Sequence, residues 1–323
     1  MVKAVRVHTV GGPEALTYED VELPHPAAGE VRVKHRAVGL NFLDVYDRTG
    51  LYPAPLPIIP GSEASGDVVA VGEGVTEFRK GDRVAYVARY GGYAEERNVP
   101  EKVLVKLPDA IDYETAAGMM LKGLTAQYLL RRTYRVQNGD TVLIHAAAGG
   151  VGVIASQWAN HLGATVIGTV GSADKAELAR QNGCHHTILY REEDFVARVA
   201  EITKGEKCQV VYDGVGKATF PGSLDCLRPL GMFVSFGSAS GPIEAFNIGI
   251  LGQKGSLFAT RPTLFTYIAK RSDLLTMCED LFAVVGSGAV KIPVTRTFKL
   301  ADAAEAHRAL EGRETTGSIV LTP

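Results

Sequence analysis

The stretch LIHAAAGGVG, residues 143–152, places small residues at the spacing of a phosphate-binding turn. In a G-x-G-x-x-G turn the first glycine permits a tight bend, the second lets backbone approach a pyrophosphate, and the third lets helix and strand pack closely. Ala147, Gly149 and Gly152 hold those positions here, and alanine is tolerated at the first if no positive φ is required. The predicted diphosphate ligands are the backbone N–H groups at the N-terminus of the following helix, namely those of Gly149, Gly150 and Val151.

The residues around this loop alternate short β-branched runs with helical stretches from position 141 onward, the last of these helices being expected near 217–227. Strand and crossover helix in strict succession predict an α/β, doubly wound Rossmann domain. Because the loop lies between a strand and a helix, a nucleotide site is favoured over a turn that only packs helix on sheet. His145, just before the loop, is interpreted as a packed histidine rather than a ligand. SLFAT at 256–260 predicts a further strand, and RPTLF is expected to open one long helix.

The first 140 residues have a different pattern, in which predicted strands are separated by turns rich in Gly, Pro and Asp, as in a small β-barrel-like domain. A helix capped by Asp112 connects it to the Rossmann domain. The tail after 262 is about 60 residues, too short to fold readily alone. We therefore expect a catalytic domain of residues 1–123 plus 263–323, a Rossmann domain of residues 124–262 inserted in it, and a ligand cleft between them.

The tip of the second Rossmann strand indicates which dinucleotide is bound. NAD sites place an acid there to hold the ribose hydroxyls, whereas NADP sites replace it with groups for the 2′-phosphate. Here TVIGTV is followed by Gly171 and Ser172, with no acid at the tip. Asp174 is explained as a first-turn helix acid with Ser172 as N-cap. Lys175 is placed to meet a phosphate, although a solvated surface lysine is the alternative. NADPH is the expected cofactor.

Composition excludes several classes of function. The chain has 34 basic and 36 acidic residues, a net charge of −2, and no run of Lys and Arg, so nucleic acid is an unexpected partner. No signal peptide or membrane span is recognised, and we expect a cytoplasmic protein. The four cysteines form no C-x-x-C pair and are expected to be reduced, buried thiols. The eight histidines do not form a ligand pattern.

Ten segments distributed along the chain carry a family resemblance: GLNFLDVYDRTGLYP (39–53), GSEASGDVVAVGEGV (61–75), GDRVAY (81–86), LKGLTAQYLL (121–130), HAAAGGVG (145–152), TVGSADK (169–175), YDGVG (212–216), FGSASGP (236–242), TRPTL (260–264) and EGRETTGSIVL (311–321). Together they resemble the quinone oxidoreductases related to zeta-crystallin, the zinc-free, NADPH-dependent branch of the medium-chain dehydrogenase/reductase superfamily. The likeness runs essentially end to end and implies a GroES-like catalytic domain around the Rossmann domain.

Zinc is not expected, in contrast to the alcohol dehydrogenases of the same superfamily. Asn41 stands where those enzymes have a cysteine ligand, and Ser62 replaces the histidine of their G-H-E motif. No cysteine occurs before Cys184, so the usual thiolate ligands are lacking. Without a Lewis acid, alcohol dehydrogenase chemistry is unexpected, whereas a quinone accepts hydride without such help.

The resemblance also implies which residues form the site. Asn41, Tyr46 and Tyr52 are the implied catalytic residues, with core or loop packing as the alternative for both tyrosines. The implied cofactor contacts, beyond Asn41 and the loop, are Thr125, Gly171, Ser172, Phe236 and Ser238. Those expected around the 2′-phosphate are Lys175, Tyr190 and Arg313, the last of which could instead be a surface charge.

Two other functions stay open at this point. One is NADPH-dependent reduction of alkenal or enone double bonds, which uses the same hydride donor. The other is a non-enzymatic NADPH-binding structural or sensor protein. A homodimer is also expected, because QKGSLFAT would form an apolar edge strand that a two-fold mate can cover.

Overall fold

The computed structural model describes residues 1–323, the whole chain. The strands are β1 (Val2–Val7), β2 (Leu16–Val21), β3 (Glu30–Leu40), β4 (Glu63–Val71), β5 (Arg83–Val87), β6 (Glu96–Pro100), β7 (Leu104–Lys106), β8 (Thr141–Ile144), β9 (Thr165–Val170), β10 (His186–Leu189), β11 (Cys208–Asp213), β12 (Leu227–Ser235), β13 (Phe258–Thr260), β14 (Val294–Lys299) and β15 (Ser318–Thr322). The helices are α1 (Phe42–Thr49), α2 (Tyr113–Tyr128), α3 (Gly150–His161), α4 (Ala173–Gln181), α5 (Phe195–Ile202), α6 (Gly222–Asp225), α7 (Gly249–Gln253), α8 (Leu264–Tyr267), α9 (Arg271–Gly286) and α10 (Ala303–Glu311).

The chain divides into two compact units. Unit 1 comprises Met1–Lys122, Arg271–Cys278 and Ile292–Pro323, and unit 2 comprises Gly123–Lys270 and Glu279–Lys291. The division lies near the expected one in α2 but differs in the tail, where unit 2 extends further. The reason is visible at α9: a Cβ on Gly123 would lie 2.6 Å from the Leu281 side chain, so the second half of α9 packs on unit 2.

Unit 2 contains a six-stranded sheet in the order β10-β9-β8-β11-β12-β13. All neighbouring strands are parallel, and the order reverses direction between β8 and β11. This is the doubly wound topology that the alternating strands and helices predict, with the strand expected at SLFAT at its edge. Buried side chains from successive strands form its core: Leu143, Ile167, Ile188, Val211 and Phe233.

Unit 1 contains a seven-stranded sheet, ordered β14-β15-β3-β4-β5-β7 with β6 paired to β3, and a two-stranded sheet of β1 and β2. β3 is its longest strand, and its buried residues alternate with more exposed ones before the strand becomes buried throughout. Val31, Val33, Val38 and Leu40 of this strand belong to the core of the unit. The prediction of a β-rich, barrel-like domain is confirmed.

Two helices differ from expectation. The predicted helix near 217–227 shrinks to α6, because the Thr219 hydroxyl donates to the Asp213 carboxylate and Pro221 has no backbone N–H for a helical hydrogen bond. The single long helix expected after RPTLF is wrong, since α8 and α9 are separate. Arg271 begins α9 with its guanidinium bound to the carbonyl oxygens of Glu101, Lys102 and Leu104, which fixes where that helix begins.

Asp112 caps α2 as expected, its Oδ1 accepting from the backbone N–H of Thr115 at 2.7 Å. No helix of the chain combines the length and apolar character needed to cross a membrane.

Candidate functional site

The loop after β8 delivers the N-terminus of α3. Gly149 is the N-cap residue of α3, with φ −80°, and no side chain caps the first turn. The first N–H groups of a helix have no partner within it and carry the positive end of its dipole. The loop therefore offers the backbone N–H groups of Gly150 and Val151 to an anion, whereas that of Gly149, predicted as a third donor, is bound to the Ala146 carbonyl oxygen at 2.9 Å.

The small residues of the loop have separate physical reasons. A Cβ on Gly152 would lie 2.3 Å from the carbonyl oxygen of Ala146, so the helix can approach the loop only without a side chain there. Ala146 has a positive φ of 54°, whereas Ala147, at the first glycine position, does not. The Ala147 methyl lies against Gly168 of β9, where a Cβ would be 2.6 Å away. Alanine fits the first glycine position because the positive φ of the turn is adopted by Ala146 and not by Ala147.

His145 lies beneath the loop. Its Nδ1 is 2.9 Å from the Thr169 hydroxyl and its Nε2 3.0 Å from the Ser223 hydroxyl, and Phe195 packs edge-on against its ring. Ser223 in turn donates to Asp213 at 2.9 Å. Burial lowers the pKa of His145, so the ring is held neutral. The interpretation of His145 as a packed histidine is confirmed.

The tip of β9 is the place where the sequence predicts the groups that distinguish NADPH from NADH. Gly171 and Ser172 follow the strand, and Ser172 is the N-cap residue of α4, although its side chain makes no capping hydrogen bond. Asp174 and Lys175 lie in the first turn of α4. The structure brings Tyr190 to Gly171: a Cβ on this glycine would be 3.1 Å from the tyrosine hydroxyl.

Arg191 lies at the same place and was missed by sequence reasoning. Its Nε would be 3.5 Å from a Cβ on Gly171. The signal was present in the sequence, because β10 runs parallel to β9 with Leu189 opposite Val170, so residues just after β10 come to the tip of β9. An exposed cation at this tip suits a ribose phosphate.

The ends of β11 and β12 form a second stretch of the candidate site. Phe236 follows β12, donates its backbone N–H to the Asp213 carbonyl at 2.8 Å, and places its ring where a Cβ on Gly214 would be 2.9 Å away. Ser238 accepts a backbone hydrogen bond from Gly241. Thr125 is buried in α2.

Unit 1 positions Asn41 at the N-cap of α1. Its backbone N–H donates to Asp44 Oδ2 at 2.8 Å, and its side-chain Nδ2 donates to Glu63 Oε1, also at 2.8 Å. Glu63 also accepts from the Lys122 ammonium at 2.9 Å. Sequence reasoning named Asn41 but missed Glu63 and Lys122.

Tyr46 and Tyr52 meet within unit 1. Their ring centroids are 5.2 Å apart at an interplanar angle of 65°, and the backbone N–H of Tyr52 donates to the Tyr46 carbonyl. Both side chains are half-buried. Arg313 lies two residues beyond the end of α10, with a positive φ of 58°.

Two buried acids of α1 have perturbed acidity. Burial raises the pKa of Asp44 to about 7, and burial also raises the pKa of Asp47 to about 6 despite its ion pair with Arg89. Tyr93 donates to Asp44 Oδ2 at 3.0 Å and lies 3.0 Å from His307 Nε2. Burial lowers the pKa of His307 to about 3, so this cluster contains a neutral imidazole.

The residues present do not fit zinc. No group of three or more His, Cys, Asp or Glu side chains is placed to hold a metal ion. Asn41 donates an amide hydrogen to Glu63, and Ser62 contributes a buried hydroxyl, where the zinc enzymes have ligands. The four cysteines are free and buried as expected, and burial raises the pKa of the Cys184 thiol to about 11.

Comparisons with known proteins agree on the architecture. Residues 27–109 match the alcohol dehydrogenase GroES-like domain, and residues 150–270 match the family described as zinc-binding dehydrogenase. The expected fold, a Rossmann domain with a GroES-like domain, is thereby confirmed.

Full-length relatives are similar to this chain throughout. A quinone oxidoreductase of Pseudomonas aeruginosa is 54% identical, covering 100% of both chains. A 2-haloacrylate reductase of a Burkholderia species is 48% identical, covering 100% of this chain and 99% of the relative. A solved structure of Escherichia coli quinone oxidoreductase complexed with NADPH has a TM-score of 0.98 and 47% identity, covering 99% of this chain and 100% of that one.

Proposed function

We propose that this chain, which belongs to the quinone oxidoreductase family, transfers reducing equivalents from NADPH to small quinones without a metal ion. The observation that carries the proposal is the loop of residues 145–152, where the N-terminus of α3 is left uncapped and Gly152 leaves no room for a side chain. Such a loop is built to hold the diphosphate of a dinucleotide.

The tip of β9 supports NADPH over NADH. An acid at this position would repel a 2′-phosphate, and none is present there. Lys175 in the first turn of α4 and the hydroxyl of Tyr190 supply a cation and a donor, and Arg313 is proposed as a further contact. Phe236, Ser238 and Thr125 are proposed contacts for the rest of the cofactor.

NADPH supplies the hydride when bound, so the chain must orient the acceptor and stabilise the charge that develops on it. We assign the acceptor contacts to Asn41, Tyr46 and Tyr52. The two phenol rings, packed at 5.2 Å, give a quinone a flat apolar neighbour, and their hydroxyls can donate to a developing oxyanion. Water supplies the final proton.

The test is consumption of NADPH followed by its absorbance, with 1,4-benzoquinone as acceptor. The expected result is rapid turnover with NADPH and much slower turnover with NADH at equal concentration. Binding of NADPH without turnover of any acceptor would support a non-enzymatic protein instead. Absence of NADPH binding at saturating concentration would overturn the proposal.

A second candidate is reduction of an activated carbon–carbon double bond. The 48% identical relative named 2-haloacrylate reductase favours it, because its substrate is an activated alkene. A 2-alkenal and a 2-haloacrylate in the same absorbance assay distinguish the two. Faster turnover of either compound than of benzoquinone would favour the second candidate.

We also propose a homodimer formed through the edge of the unit 2 sheet. β13 pairs only with β12 and so presents an open edge. Phe258 in this strand is 56% exposed, and Leu230 and Ile248 are 65% and 75% exposed. Exposed edges with apolar side chains are commonly covered by a two-fold mate. We propose the cytoplasm as the location, where free buried thiols such as these persist.

A further inference from the structure

Glu63 is a fully buried carboxylate at the start of β4, and both of its oxygens have donors. Oε1 accepts from Asn41 Nδ2 at 2.8 Å and from Lys122 Nζ at 2.9 Å. Oε2 accepts from the backbone N–H of Leu121 at 2.6 Å. An ionised carboxylate can only accept hydrogen bonds. The nitrogen end of the Asn41 amide is therefore the end that faces Glu63.

This contact fixes which end of the amide remains for another partner. The oxygen and nitrogen of an amide point in different directions from its carbon, and Oδ1 has two lone pairs. Asn41 and Asp44 also form a capping box, in which the Asn41 side-chain oxygen accepts from the backbone N–H of Asp44. One of the two lone pairs of Oδ1 is thereby used, and the other remains for a further partner. Both contacts set the same orientation, with the oxygen turned away from Glu63.

Packing holds the carboxylate in this place. A Cβ on Gly39 would lie 2.3 Å from Glu63 Oε1 and 2.2 Å from the Ala117 carbonyl oxygen. Lys122 is 6% exposed and its ammonium compensates the buried charge of Glu63. Removing one partner of such a pair is costly, because the other charge is then buried alone.

We propose that the buried Glu63–Lys122 ion pair positions the Asn41 amide so that its carbonyl oxygen is presented to the ligand as a hydrogen-bond acceptor. This rests on the proposed function, in which Asn41 contacts the ligand. The ligand group it fits is a donor, either the carboxamide N–H of the nicotinamide or a hydroxyl of the reduced quinone. A quinone carbonyl is itself an acceptor, so the donors to a developing oxyanion are the hydroxyls of Tyr46 and Tyr52.

The decisive experiment exchanges the hydrogen-bond donor at position 41 and the acceptor at position 63, while the net charge and the shapes of the side chains are conserved. Asn41→Asp alone places a second carboxylate against Glu63 and should lower kcat/KM about 10- to 100-fold. Adding Glu63→Gln gives an amide donor at 63 facing a carboxylate acceptor at 41, which again presents an oxygen to the ligand. The Lys122 ammonium shares Oε1 with Asn41 in the wild type, so in this variant it must turn to the new carboxylate at 41 as its anionic partner. This double variant should recover to within about tenfold of wild type, since one hydrogen bond to a charged group is restored.

The kinetic constants also distinguish the two ligand groups. If Asn41 accepts from the carboxamide, the dissociation constant of NADPH, measured by fluorescence without quinone, should follow the same pattern of loss and recovery. If it accepts from the quinone-derived hydroxyl, NADPH binding should stay constant while kcat changes. A double variant no more active than Asn41→Asp, with a melting temperature near that of wild type, would overturn the proposal.

A second variant guards against Asn41→Asp failing to fold. Glu63→Gln with Lys122→Met replaces the ion pair by neutral side chains of similar size, a change that buried pairs often tolerate. The amide introduced at position 63 would then donate to Asn41 and turn the Asn41 nitrogen toward the ligand. Turnover should fall about tenfold or more while the melting temperature holds. Unchanged kcat and NADPH affinity in this variant would refute the inference, whereas an inactive wild-type enzyme would refute the proposed function itself.

Discussion

Gly152→Ala tests whether the loop of residues 145–152 works through its geometry. The added Cβ would lie 2.3 Å from the Ala146 carbonyl oxygen and 2.7 Å from the Ala147 Cα, and real Cβ atoms are essentially never found closer than 3.0 Å to a neighbour. The overlap with the oxygen is 3.0 − 2.3 = 0.7 Å. Because both neighbours are backbone atoms, the loop and α3 must move apart.

Gly149→Ala is the matched control in the same loop. Its Cβ would lie 3.2 Å from the same carbonyl oxygen, and its φ of −80° is ordinary for alanine. A few tenths of an ångström of adjustment absorbs this change. Both variants add one methyl group, so their difference isolates the steric overlap at position 152.

Overpacking of this kind costs about 1–3 kcal/mol, and for a chain of this length we expect Gly152→Ala to lower the melting temperature by about 1–4 °C. Displaced N–H groups lose charge-assisted hydrogen bonds to the diphosphate, which corresponds to about a 10- to 100-fold rise in the dissociation constant of NADPH. Gly149→Ala should change that constant by less than about threefold. Thermal unfolding and fluorescence titration measure both effects. If Gly152→Ala binds NADPH as tightly as Gly149→Ala does, the loop does not hold the diphosphate as argued.

Three further predictions concern other parts of the chain. Lys175→Ala should weaken NADPH about tenfold and leave NADH binding unchanged, because only the 2′-phosphate gains from the cation; equal loss for both cofactors contradicts this. Burial raises the pKa of Asp44 to about 7, so the folded protein keeps a proton there that the unfolded chain releases above about pH 4. The stability that this proton contributes is therefore lost as the pH rises from about 4 to about 7. Asp44→Asn should therefore gain stability relative to wild type across that window, by at most about 1.4 kcal/mol per pH unit in urea unfolding, and a pH-independent difference would refute the assignment. Phe258→Asp should shift a dimer toward monomer in sedimentation, whereas Val71→Asp, at a comparably exposed position in unit 1, should not; a wild-type monomer would refute the dimer.

Sequence periodicity predicted the sheet of unit 2 well, because each strand is a short apolar run and each crossover is helical. It overestimated the helix near 217–227, because the Thr219 hydroxyl donates to the distant Asp213 carboxylate and Pro221 lacks the N–H that a continuous helix needs. It also joined α8 to α9, because the contacts that start α9 are made by Arg271 to residues about 170 positions away. Tertiary contacts of that kind leave no local pattern.

The conformation of the loop could be predicted at Gly149 and Gly152, where a motif fixes the backbone, and its role in binding a cofactor stays a prediction. Partners distant in the sequence were missed. Glu63 was interpreted only as part of a replaced zinc motif, and its contact with Lys122 joins residues 59 positions apart. Arg191 was missed although the parallel register of β9 and β10 places it beside Gly171. Register and side-chain direction are needed to see such neighbours.

The methyl of Ala147 and the bare backbone of Gly168 occupy one volume between them. A Cβ at position 168 would also lie 2.7 Å from the Cys184 sulfur, so position 168 can gain a methyl only after position 147 has lost its own and the thiol has been replaced or displaced. Positions 147 and 168 should consequently vary together among related proteins. A search that requires glycine at position 147 will miss relatives that, like this chain, have alanine there and the compensating glycine at position 168 on β9.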